Sequence, residues 1–300
     1  MKKYDLIIIG AGPAGLTAAL YAARYRINSL VLGKMPGGLV AETSDICNFP
    51  SYPKIKGFEL AQKMLNQVKE LGVDVVNEEV SEIKKKKSGF EIITNKNKYE
   101  ARKIIFATGS ERKKLGITKE KELTGKGISY CATCDAGFYK DKVVGVVGGS
   151  DAALTAALLL ANFAKKVYII YRKDKFFRGE RVWIENVEKS KNIEPIFNSN
   201  ITKLIGKEKL DAVELNGKKE LKVDGVFIEV GGIPNIELAE KICVKIENKQ
   251  IIADEMQKTN VHGFFAAGDV TNNPLKQIIT ACGQGAISAN TAYREIMEEK

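Results

Sequence analysis

The sequence contains very little histidine, and most of its cysteines stand alone. His262 is the only histidine among the 300 residues, and of the five cysteines only Cys131 and Cys134 are close together. A structural zinc ion takes four ligands, which usually come from closely spaced pairs of cysteine or histidine. Because a second pair is missing, the sequence argues against a metal site and favours redox chemistry at the pair that is present.

Long apolar runs are also missing. No part of the sequence approaches the roughly 18 consecutive apolar residues that a membrane span needs. The first residues, Met1 to Lys3 and then Leu6 to Ile9, imitate a signal peptide only loosely, since Asp5 interrupts the basic start and Gly10 ends the apolar run. We interpret this segment as a strand that ends in a glycine turn, and we expect a cytoplasmic protein with no membrane partner.

The charge is strongly basic, but no nucleic-acid-binding motif accompanies it. The formal net charge is +10 at pH 7. The basic residues are scattered, apart from Lys84 to Lys87 between Ile83 and Gly89, which we interpret as a solvated hairpin. A nucleic-acid-binding domain usually concentrates its basic residues on one face or in a known motif. We therefore expect no nucleic-acid partner, although the charge could help to attract an acidic protein.

Two similar segments lie in tandem along the chain. The first runs from an apolar strand, Leu6 to Ile9, through a glycine turn into an alanine-rich helix, and the second repeats this pattern from Val143 to Val147. Each has the β-α-β start of a dinucleotide-binding domain. Since 300 residues also exceed a typical single core, we predict an α/β protein of two Rossmann-like, three-layer domains. The second domain (113–232) is inserted into the first (1–112 and 233–300).

The first glycine turn has all three glycines of the dinucleotide-binding fingerprint. Gly10 permits the tight turn, Gly12 lets the backbone approach a pyrophosphate at the helix N-terminus, and Gly15 allows close packing of helix and strand. The acidic residue that would hold a ribose hydroxyl after the second strand is missing, and Gly33 stands there instead. The context of strand, turn and helix predicts a bound dinucleotide.

The second glycine turn departs from the same fingerprint. Gly148 is in place, but Ser150 occupies the second glycine position and adds a Cβ where a pyrophosphate should come close. Arg172, Lys173 and Arg178 follow the next strand, and cationic groups there suit a 2′-phosphate, which favours NADPH over NADH. The alternative interpretation of these residues is a solvated basic loop.

The segment Cys131-Ala132-Thr133-Cys134 is the chemical centre of the sequence. Two thiols at this spacing can close a small disulfide, and the thiolate of one of them is the nucleophile in thiol–disulfide exchange. The cycle also needs a group that donates and accepts protons. Asp135 is the better candidate because His262 reads as a turn residue, although Asp135 could equally be a helix cap.

These motifs together resemble those of the bacterial and archaeal low-molecular-weight thioredoxin reductases, over essentially the full length of the chain. A base histidine near the C-terminus, as in the larger glutathione-reductase-like enzymes, is missing. The shared segments are Gly10 to Gly15, Gly37 and Gly38, Asn48 to Pro50, Ala107 to Ser110, Cys131 to Asp135, Ala266 to Val270, and Lys276 to Asn290.

The resemblance implies a homodimeric enzyme that passes electrons from NADPH through FAD and the Cys131–Cys134 disulfide to thioredoxin or a thioredoxin-like protein. It implies that Cys134 faces the flavin, that Cys131 attacks the partner and that Asp135 handles protons. The implied FAD-binding residues are Gly10, Gly12, Pro13, Ala14, Gly15, Gly33, Gly37, Gly38, Asn48, Ala107, Thr108, Gly109, Gly268, Asp269, Lys276, Gln277 and Ile278. The implied NADP-binding residues are Gly148, Gly149, Ser150, Asp151, Arg172, Lys173 and Arg178.

The departures from the family pattern all fall in the electron-donor half. The family usually has a third glycine where Ser150 stands, and a His-Arg-Arg motif where the chain has Tyr171-Arg172-Lys173. Two alternatives therefore stay open. One is the same flavin disulfide reductase with another donor, namely NADH, ferredoxin or a deazaflavin, and the other is a flavin redox sensor without turnover.

Overall fold

The two glycine-turn segments each lie at the centre of a separate parallel sheet. A computed structural model describes residues 1–43 and 45–299 of the chain. The chain divides into two compact units, of which the first contains Met1–Ala41, Ile46–Glu111 and Ile233–Lys300, and the second Glu42–Asp45 and Arg112–Gly232. The assignment of FAD to one unit and NADP to the other stays a prediction.

Apart from residue 44, which lies outside the described ranges, the N-terminal part of the chain forms nine strands and two α-helices. Its strands are β1 (Lys2–Ile9), β2 (Ser29–Leu32), β3 (Asp45–Ile46), β4 (Ile55–Lys56), β5 (Asp74–Val76), β6 (Val80–Lys85), β7 (Phe90–Thr94), β8 (Lys98–Phe106) and β9 (Ser110–Arg112). Its α-helices are α1 (Pro13–Arg24) and α2 (Gly57–Glu70), with a 3-10 helix at Gly38–Glu42.

The middle part carries the second sheet and the cysteine pair. Its strands are β10 (Ile128–Ser129), β11 (Val143–Val147), β12 (Lys166–Ile170), β13 (Ile193–Ile196), β14 (Ile201–Ile205), β15 (Ala212–Leu215), β16 (Lys219–Lys222) and β17 (Gly225–Ile228). Its α-helices are α3 (Glu120–Leu123), α4 (Ala132–Asp135), α5 (Asp151–Ala161) and α6 (Arg181–Lys189), with a 3-10 helix at Ala136–Tyr139.

The C-terminal part returns to the first unit. Its strands are β18 (Gly232–Pro234), β19 (Ile246–Glu247), β20 (Gln250–Ile251) and β21 (Phe264–Ala266), and its α-helices are α7 (Glu237–Glu240) and α8 (Ile278–Glu298). Strand β21 pairs in parallel with β8, and so this part of the chain completes the first sheet.

The first sheet has the order β5-β2-β1-β8-β7-β6 and is parallel at its centre. Residues of β1 alternate between two cores, because successive side chains of a strand point to opposite faces. Leu6 and Ile8 pack in the core that α1 and α8 share, whereas Ile7 and Ile9 pack in the core on the other face. Both faces are covered, which explains why this strand reads as a continuous apolar run.

The second sheet has the order β10-β17-β11-β12-β13, and all of its paired strands are parallel. Val144 and Val146 of β11 pack against the alanine-rich α5, and Val147 packs in the core of the opposite face. A separate antiparallel sheet, β14-β15-β16, contains the hairpin predicted around Asn216 and Gly217, whose φ angles of 53° and 69° suit a tight primed turn. The predicted α/β fold with two Rossmann-type domains is confirmed.

The predicted start of β1 differs from the structure, since the strand begins at Lys2 and not at Leu6. Lys84 to Lys87, predicted as a solvated hairpin, lie where β6 turns back into its antiparallel partner β7, and all four are exposed, which confirms the prediction. Among the described residues, no helix is long and apolar enough to cross a membrane.

A buried lysine fixes the C-terminal helix α8 to the first sheet. The Lys103 side chain on β8 is only 2% exposed, and its ammonium group pairs with Glu295 at 3.1 Å and with Glu299. Lys258 also pairs with Glu295, at 3.0 Å. Burial would raise the pKa of the Glu295 carboxyl, but the two lysines outweigh it and hold the pKa below its usual value. The cluster therefore depends on charge pairing away from water.

The change Lys103→Ala should lower the free energy of unfolding by about 3 kcal/mol, because it leaves two paired carboxylates short of a buried partner. Urea denaturation measures this quantity. Lys98→Ala, at an exposed position of the same strand, is the matched control and should change stability by less than about 0.5 kcal/mol. Equal effects of the two changes would contradict the structural role of Lys103.

Candidate active site

The first glycine turn joins β1 to α1 through very close backbone contacts. Gly10 has a φ of +115°, and a Cβ there would lie 2.1 Å from the carbonyl oxygen of Ala107. A Cβ on Gly15 would lie 1.8 Å from the carbonyl oxygen of Gly10. A side chain on Gly10 would clash with the residue that follows β8, and a side chain on Gly15 would push α1 away from the turn. The turn thus holds the N-terminus of α1 at the carboxyl edge of the sheet.

Gly12 differs from these two glycines because it faces open space. It is the N-cap residue of α1, and a Cβ there would meet no atom within 4 Å. The first turn of α1, all of it within the described residues, has no acidic side chain and no side-chain cap. The free N–H groups and the helix dipole therefore act on the space before Gly12, which suits a pyrophosphate.

The structure brings distant predicted residues to this turn. A Cβ on Gly33 would lie 2.8 Å from Ala11, and a Cβ on Gly38 would lie 3.2 Å from the Cα of Gly12. The N–H of Gly37 donates to the carbonyl oxygen of Ala11 at 2.7 Å. Gly33, Gly37 and Gly38 thus wall the same space that Gly12 leaves open.

The stretches around Thr108 and Gly268 close the opposite side of the turn. A Cβ on Gly268 would lie 3.0 Å from the Cβ of Ala14. The Thr108 hydroxyl donates to the carbonyl oxygen of Asn235 at 2.8 Å, and the Asn235 side-chain amide donates to the carbonyl oxygen of Thr108 at 3.1 Å. This exchange fixes the segment that follows β8.

Polar side chains line the remaining part of this site. Burial raises the pKa of the Asp269 carboxyl, although nearby Lys276 lowers it, and burial also lowers the pKa of the Lys276 ammonium group. Asn48 donates to the side-chain oxygen of Gln277 at 3.2 Å, and Ile278 packs in the small core beside α2. A desolvated carboxylate suits hydroxyl donors such as those of a ribityl chain. These groups fit FAD, and the role of each residue stays a prediction.

The second glycine turn, between β11 and α5, is more crowded than the first. A Cβ on Gly148, where φ is +146°, would lie 2.3 Å from the carbonyl oxygen of Glu229. The Tyr171 ring lies over Gly149, where a Cβ would be 2.5 Å from the nearest ring atom. The same ring stacks on Phe176, with 6.0 Å between ring centroids. An aromatic group therefore covers the middle of this turn.

The chain itself also covers the N-terminus of α5. Ser150, the N-cap residue, forms a backbone bridge with Arg178. The Asp151 carboxylate in the first turn accepts a hydrogen bond from the N–H of Glu180 at 2.6 Å. Burial raises the pKa of Asp151, while this N–H lowers it. The N-terminus of α5 is therefore less open to a pyrophosphate than the N-terminus of α1 at Gly12.

The predicted 2′-phosphate ligands lie beside this turn. Arg172 and Lys173 follow β12 directly, and both are exposed, as is Arg178. Exposed cations next to the turn fit the phosphate that distinguishes NADPH from NADH. The structure therefore supports the phosphate-binding residues better than it supports an open pyrophosphate site.

Cys131 and Cys134 form a disulfide at the start of α4, with a Cα–Cα distance of 5.3 Å. Cys131 is the N-cap residue and is half-buried, whereas Cys134 is exposed. The N–H of Cys134 donates to Cys131 Sγ at 3.1 Å. Cys131 Sγ also lies 3.9 Å from the carbonyl oxygen of Glu42. Among the described residues, Cys131 Sγ thus accepts a hydrogen bond from the backbone of its own turn.

Asp135 directly follows the disulfide and is half-buried at the end of α4. Its N–H donates to the carbonyl oxygen of Cys131 at 3.2 Å, and no side-chain capping bond is formed by Asp135 within the described chain. The role of the Asp135 carboxylate in proton transfer stays a prediction. His262 is 76% exposed in the first unit and contacts Lys103, in agreement with its interpretation as a turn residue.

Sequence reasoning missed a cluster of one arginine and two glutamates in the second unit. Arg112 donates to Glu42 at 3.0 Å and to both oxygens of Glu229 at 3.0 and 2.9 Å. Burial raises the pKa of Glu229 to about 7, with Arg112 acting in the opposite direction. Glu229 follows β17 at the edge that carries Gly148. The only sequence signal for this cluster was the position of Glu229, a charged residue directly after an apolar strand.

The sequence and the fold of the chain are similar to those of known proteins. The profile of the pyridine nucleotide-disulphide oxidoreductases matches residues 4–285. The chain belongs to this family. The thioredoxin reductase of Listeria innocua is 38% identical over 100% of this chain and 96% of its own length. The T. acidophilum thioredoxin reductase structure has a TM-score of 0.94 at 36% identity, covering 99% and 100% of the two chains.

A further solved relative is the ferredoxin-flavin thioredoxin reductase of Clostridium acetobutylicum, with a TM-score of 0.56 at 32% identity over 100% of both chains. Within the family, the full-length likeness to thioredoxin reductases makes this protein a flavin-dependent disulfide reductase of that type. Thioredoxin reductases of this family contain FAD and use NADPH, so the predicted cofactors are confirmed at the level of the family.

Substitution by alanine should mainly weaken FAD binding at Gly12 and mainly lower protein stability at Gly15. Gly12→Ala should leave the fold intact, because its Cβ meets no protein atom, and should weaken FAD binding about tenfold or more by filling the pyrophosphate space. Gly15→Ala should destabilise the protein whether or not FAD is present. Flavin retention and thermal unfolding of the apoprotein measure the two effects. If Gly12→Ala bound FAD as tightly as the unchanged protein, the space before Gly12 would not be the pyrophosphate site.

Glu229 should make stability fall as pH rises. Its pKa in the folded protein is about 7, against a model-compound value of 4.5, so the folded state holds a proton between these values that the unfolded state has lost. The contribution, up to about 3 kcal/mol, is present below pH 4.5 and lost as pH rises through 7. Urea denaturation of the protein and of Glu229→Gln at pH 5 and pH 8 measures it.

The variant Glu229→Gln should gain about 2 kcal/mol relative to the unchanged protein between pH 5 and pH 8, because glutamine cannot become charged. Glu220→Gln, at an exposed position of β16, is the control and should show no such gain. A difference that stays constant with pH would contradict the burial of a titrating Glu229.

Proposed function

We propose that the protein reduces the disulfide of thioredoxin or a thioredoxin-like protein, with electrons that pass from NADPH through FAD to the Cys131–Cys134 pair. The observation that carries the proposal is the Cys131–Cys134 disulfide, which is closed at the start of α4. The named relatives support the substrate class. We also propose that the protein acts in the cytoplasm as a homodimer, as the resemblance implies.

FAD supplies the two-electron chemistry that connects a nucleotide donor to a disulfide. Reduction of the Cys131–Cys134 bond takes two electrons and two protons and yields two thiols. In our proposal Cys134 faces the flavin for this step. Asp135, half-buried beside the pair, holds and releases the protons.

The second half of the cycle is thiol–disulfide exchange with the partner. The Cys131 thiolate attacks one sulfur of the partner's disulfide, the partner's S–S bond breaks, and the leaving thiolate takes a proton. Cys134 then attacks Cys131 in the mixed disulfide, which releases the reduced partner and closes the internal disulfide again. The hydrogen bond from the N–H of Cys134 to Cys131 Sγ supports Cys131 as the more stable thiolate.

An exposed phenylalanine supports the proposal that a protein is the substrate. Phe138 lies four residues after Cys134 and is 74% exposed. Large apolar side chains on a surface mark protein contacts when they adjoin a functional site. Phe138 and Cys134 are both exposed in the second unit, and we propose that the partner protein contacts both.

A second candidate differs only in the electron donor. The covered N-terminus of α5, with Asp151 in its first turn and the Tyr171 ring over Gly149, favours a donor that does not bind at this turn. The solved ferredoxin-flavin relative supports reduced ferredoxin as such a donor. Stopped-flow bleaching of the flavin by NADPH, by NADH and by reduced ferredoxin separates the candidates. We expect NADPH to be the fastest, and a faster reaction with ferredoxin would overturn this choice.

The change Cys134→Ser should abolish turnover of thioredoxin but leave the flavin bound, because the disulfide cannot form and the site around Gly12 is untouched. Steady-state reduction of thioredoxin and the flavin absorbance measure the two properties. Cys243→Ser, at an exposed cysteine outside the pair, is the control and should keep full turnover. Wild-type turnover in Cys134→Ser would exclude the proposed redox pair.

A further inference from the structure

Glu120 is a buried carboxylate close in sequence to the redox pair. Its residue is only 5% exposed. It accepts hydrogen bonds from the backbone N–H groups of Leu115 at 2.8 Å, Gly116 at 2.7 Å and Ile117 at 3.4 Å. A buried carboxylate is tolerated only when such donors satisfy it. Glu120 therefore fixes the loop that precedes α3.

The same carboxylate accepts a hydrogen bond from Tyr130, the residue directly before Cys131. The Tyr130 hydroxyl donates to Glu120 Oε1 at 2.5 Å. Burial would raise the pKa of Glu120, but this hydroxyl and the backbone N–H groups hold the pKa below its usual value. Burial and the Glu120 charge raise the pKa of Tyr130. The pair is thus a charge-assisted hydrogen bond between a charged carboxylate and a neutral phenol.

Ser129 anchors Cys131 from a second direction. It is 4% exposed and pairs with Phe227 in the second sheet. The Ser129 hydroxyl oxygen accepts a hydrogen bond from the N–H of Cys131 at 3.1 Å. The same hydroxyl donates a hydrogen bond to the carbonyl oxygen of Cys131 at 3.3 Å. Ser129 therefore holds the backbone of Cys131 at both its N–H and its carbonyl oxygen.

These anchors act on one member of the disulfide only. Cys131 is half-buried and follows the anchored residues Ser129 and Tyr130, whereas Cys134 is exposed at the other end of the turn. A bond needed only for folding would have no reason to end at the residue next to the reactive sulfur. The asymmetry points to control of the Cys131 sulfur itself.

We propose that Glu120 and Tyr130 are positioning residues for the redox pair, which hold Cys131 so that its sulfur stays on the N–H of Cys134. That N–H lies 3.1 Å from Cys131 Sγ in the disulfide. In the reduced pair it stabilises a thiolate more than a neutral sulfur, because a charged acceptor makes the stronger hydrogen bond. Tyr130 thereby favours the reduced form of the Cys131–Cys134 pair over the disulfide. The importance of this positioning for turnover rests on the proposed function.

The test is Tyr130→Phe, which removes the hydroxyl but leaves the ring and the three backbone donors of Glu120 in place. The holoprotein is equilibrated with mixtures of reduced and oxidised dithiothreitol, and the reduced fraction of the Cys131–Cys134 pair is read by alkylation and peptide mass spectrometry. The matched control is Tyr168→Phe, on β12 of the same unit.

We expect Tyr130→Phe to shift the equilibrium constant roughly threefold or more toward the disulfide, and Tyr168→Phe to leave it unchanged. Glu120→Asp, which draws the carboxylate back from Tyr130, should shift it in the same direction. An unchanged equilibrium in Tyr130→Phe, or an equal shift in the control, would overturn the inference.

This measurement uses neither thioredoxin nor a nucleotide donor. A wrong substrate or donor therefore leaves the equilibrium result unaffected, while a failed inference leaves the thioredoxin assay unaffected. Circular dichroism of both tyrosine variants confirms that the shift does not come from unfolding.

Discussion

The arrangement of the first unit depends on the contact between two backbones at the first glycine turn. Gly15 lies so close to the carbonyl oxygen of Gly10 that a Cβ would come within 1.8 Å of it. This contact presses α1 against the edge of the sheet and directs its uncapped N-terminus at the space before Gly12. Gly33, Ala107 and Gly268, which are predicted to bind FAD, lie close to this turn because the parallel strands before them end at the same edge.

The second unit repeats this geometry but adds different chemistry. Its turn is covered by Tyr171 and by the backbone of Arg178, and its sheet supports the cysteine pair through β10. The first unit therefore has an open helix N-terminus, and the second unit has the disulfide. The likeness to thioredoxin reductases over the full chain agrees with both features.

Periodicity and glycine spacing were sufficient to predict the central strands from sequence. The range predicted for β11, Val143–Val147, agrees with the structure, because a buried parallel strand is apolar throughout and a glycine turn marks its end. The start of β1 at Lys2 could not be predicted, since the exposed and half-buried residues before Leu6 carry no burial pattern.

Contacts between distant side chains were also beyond sequence reasoning. Glu120 and Tyr130, or Arg112 and Glu229, meet only because the sheet brings their elements together. Before that, each reads as an ordinary polar residue. The cysteine pair could be predicted because its two members are close in sequence, whereas no pattern in the sequence indicates the hydrogen bond between Glu120 and Tyr130.

The central claim is that electrons reach the Cys131–Cys134 disulfide through the flavin. Anaerobic titration of the bound flavin with NADPH, followed by alkylation of the cysteines, tests it most directly. The flavin and the disulfide each take two electrons, so we predict that full bleaching needs about two equivalents per chain and leaves both cysteines alkylated. Full bleaching after about one equivalent, with the disulfide still closed, would contradict the account.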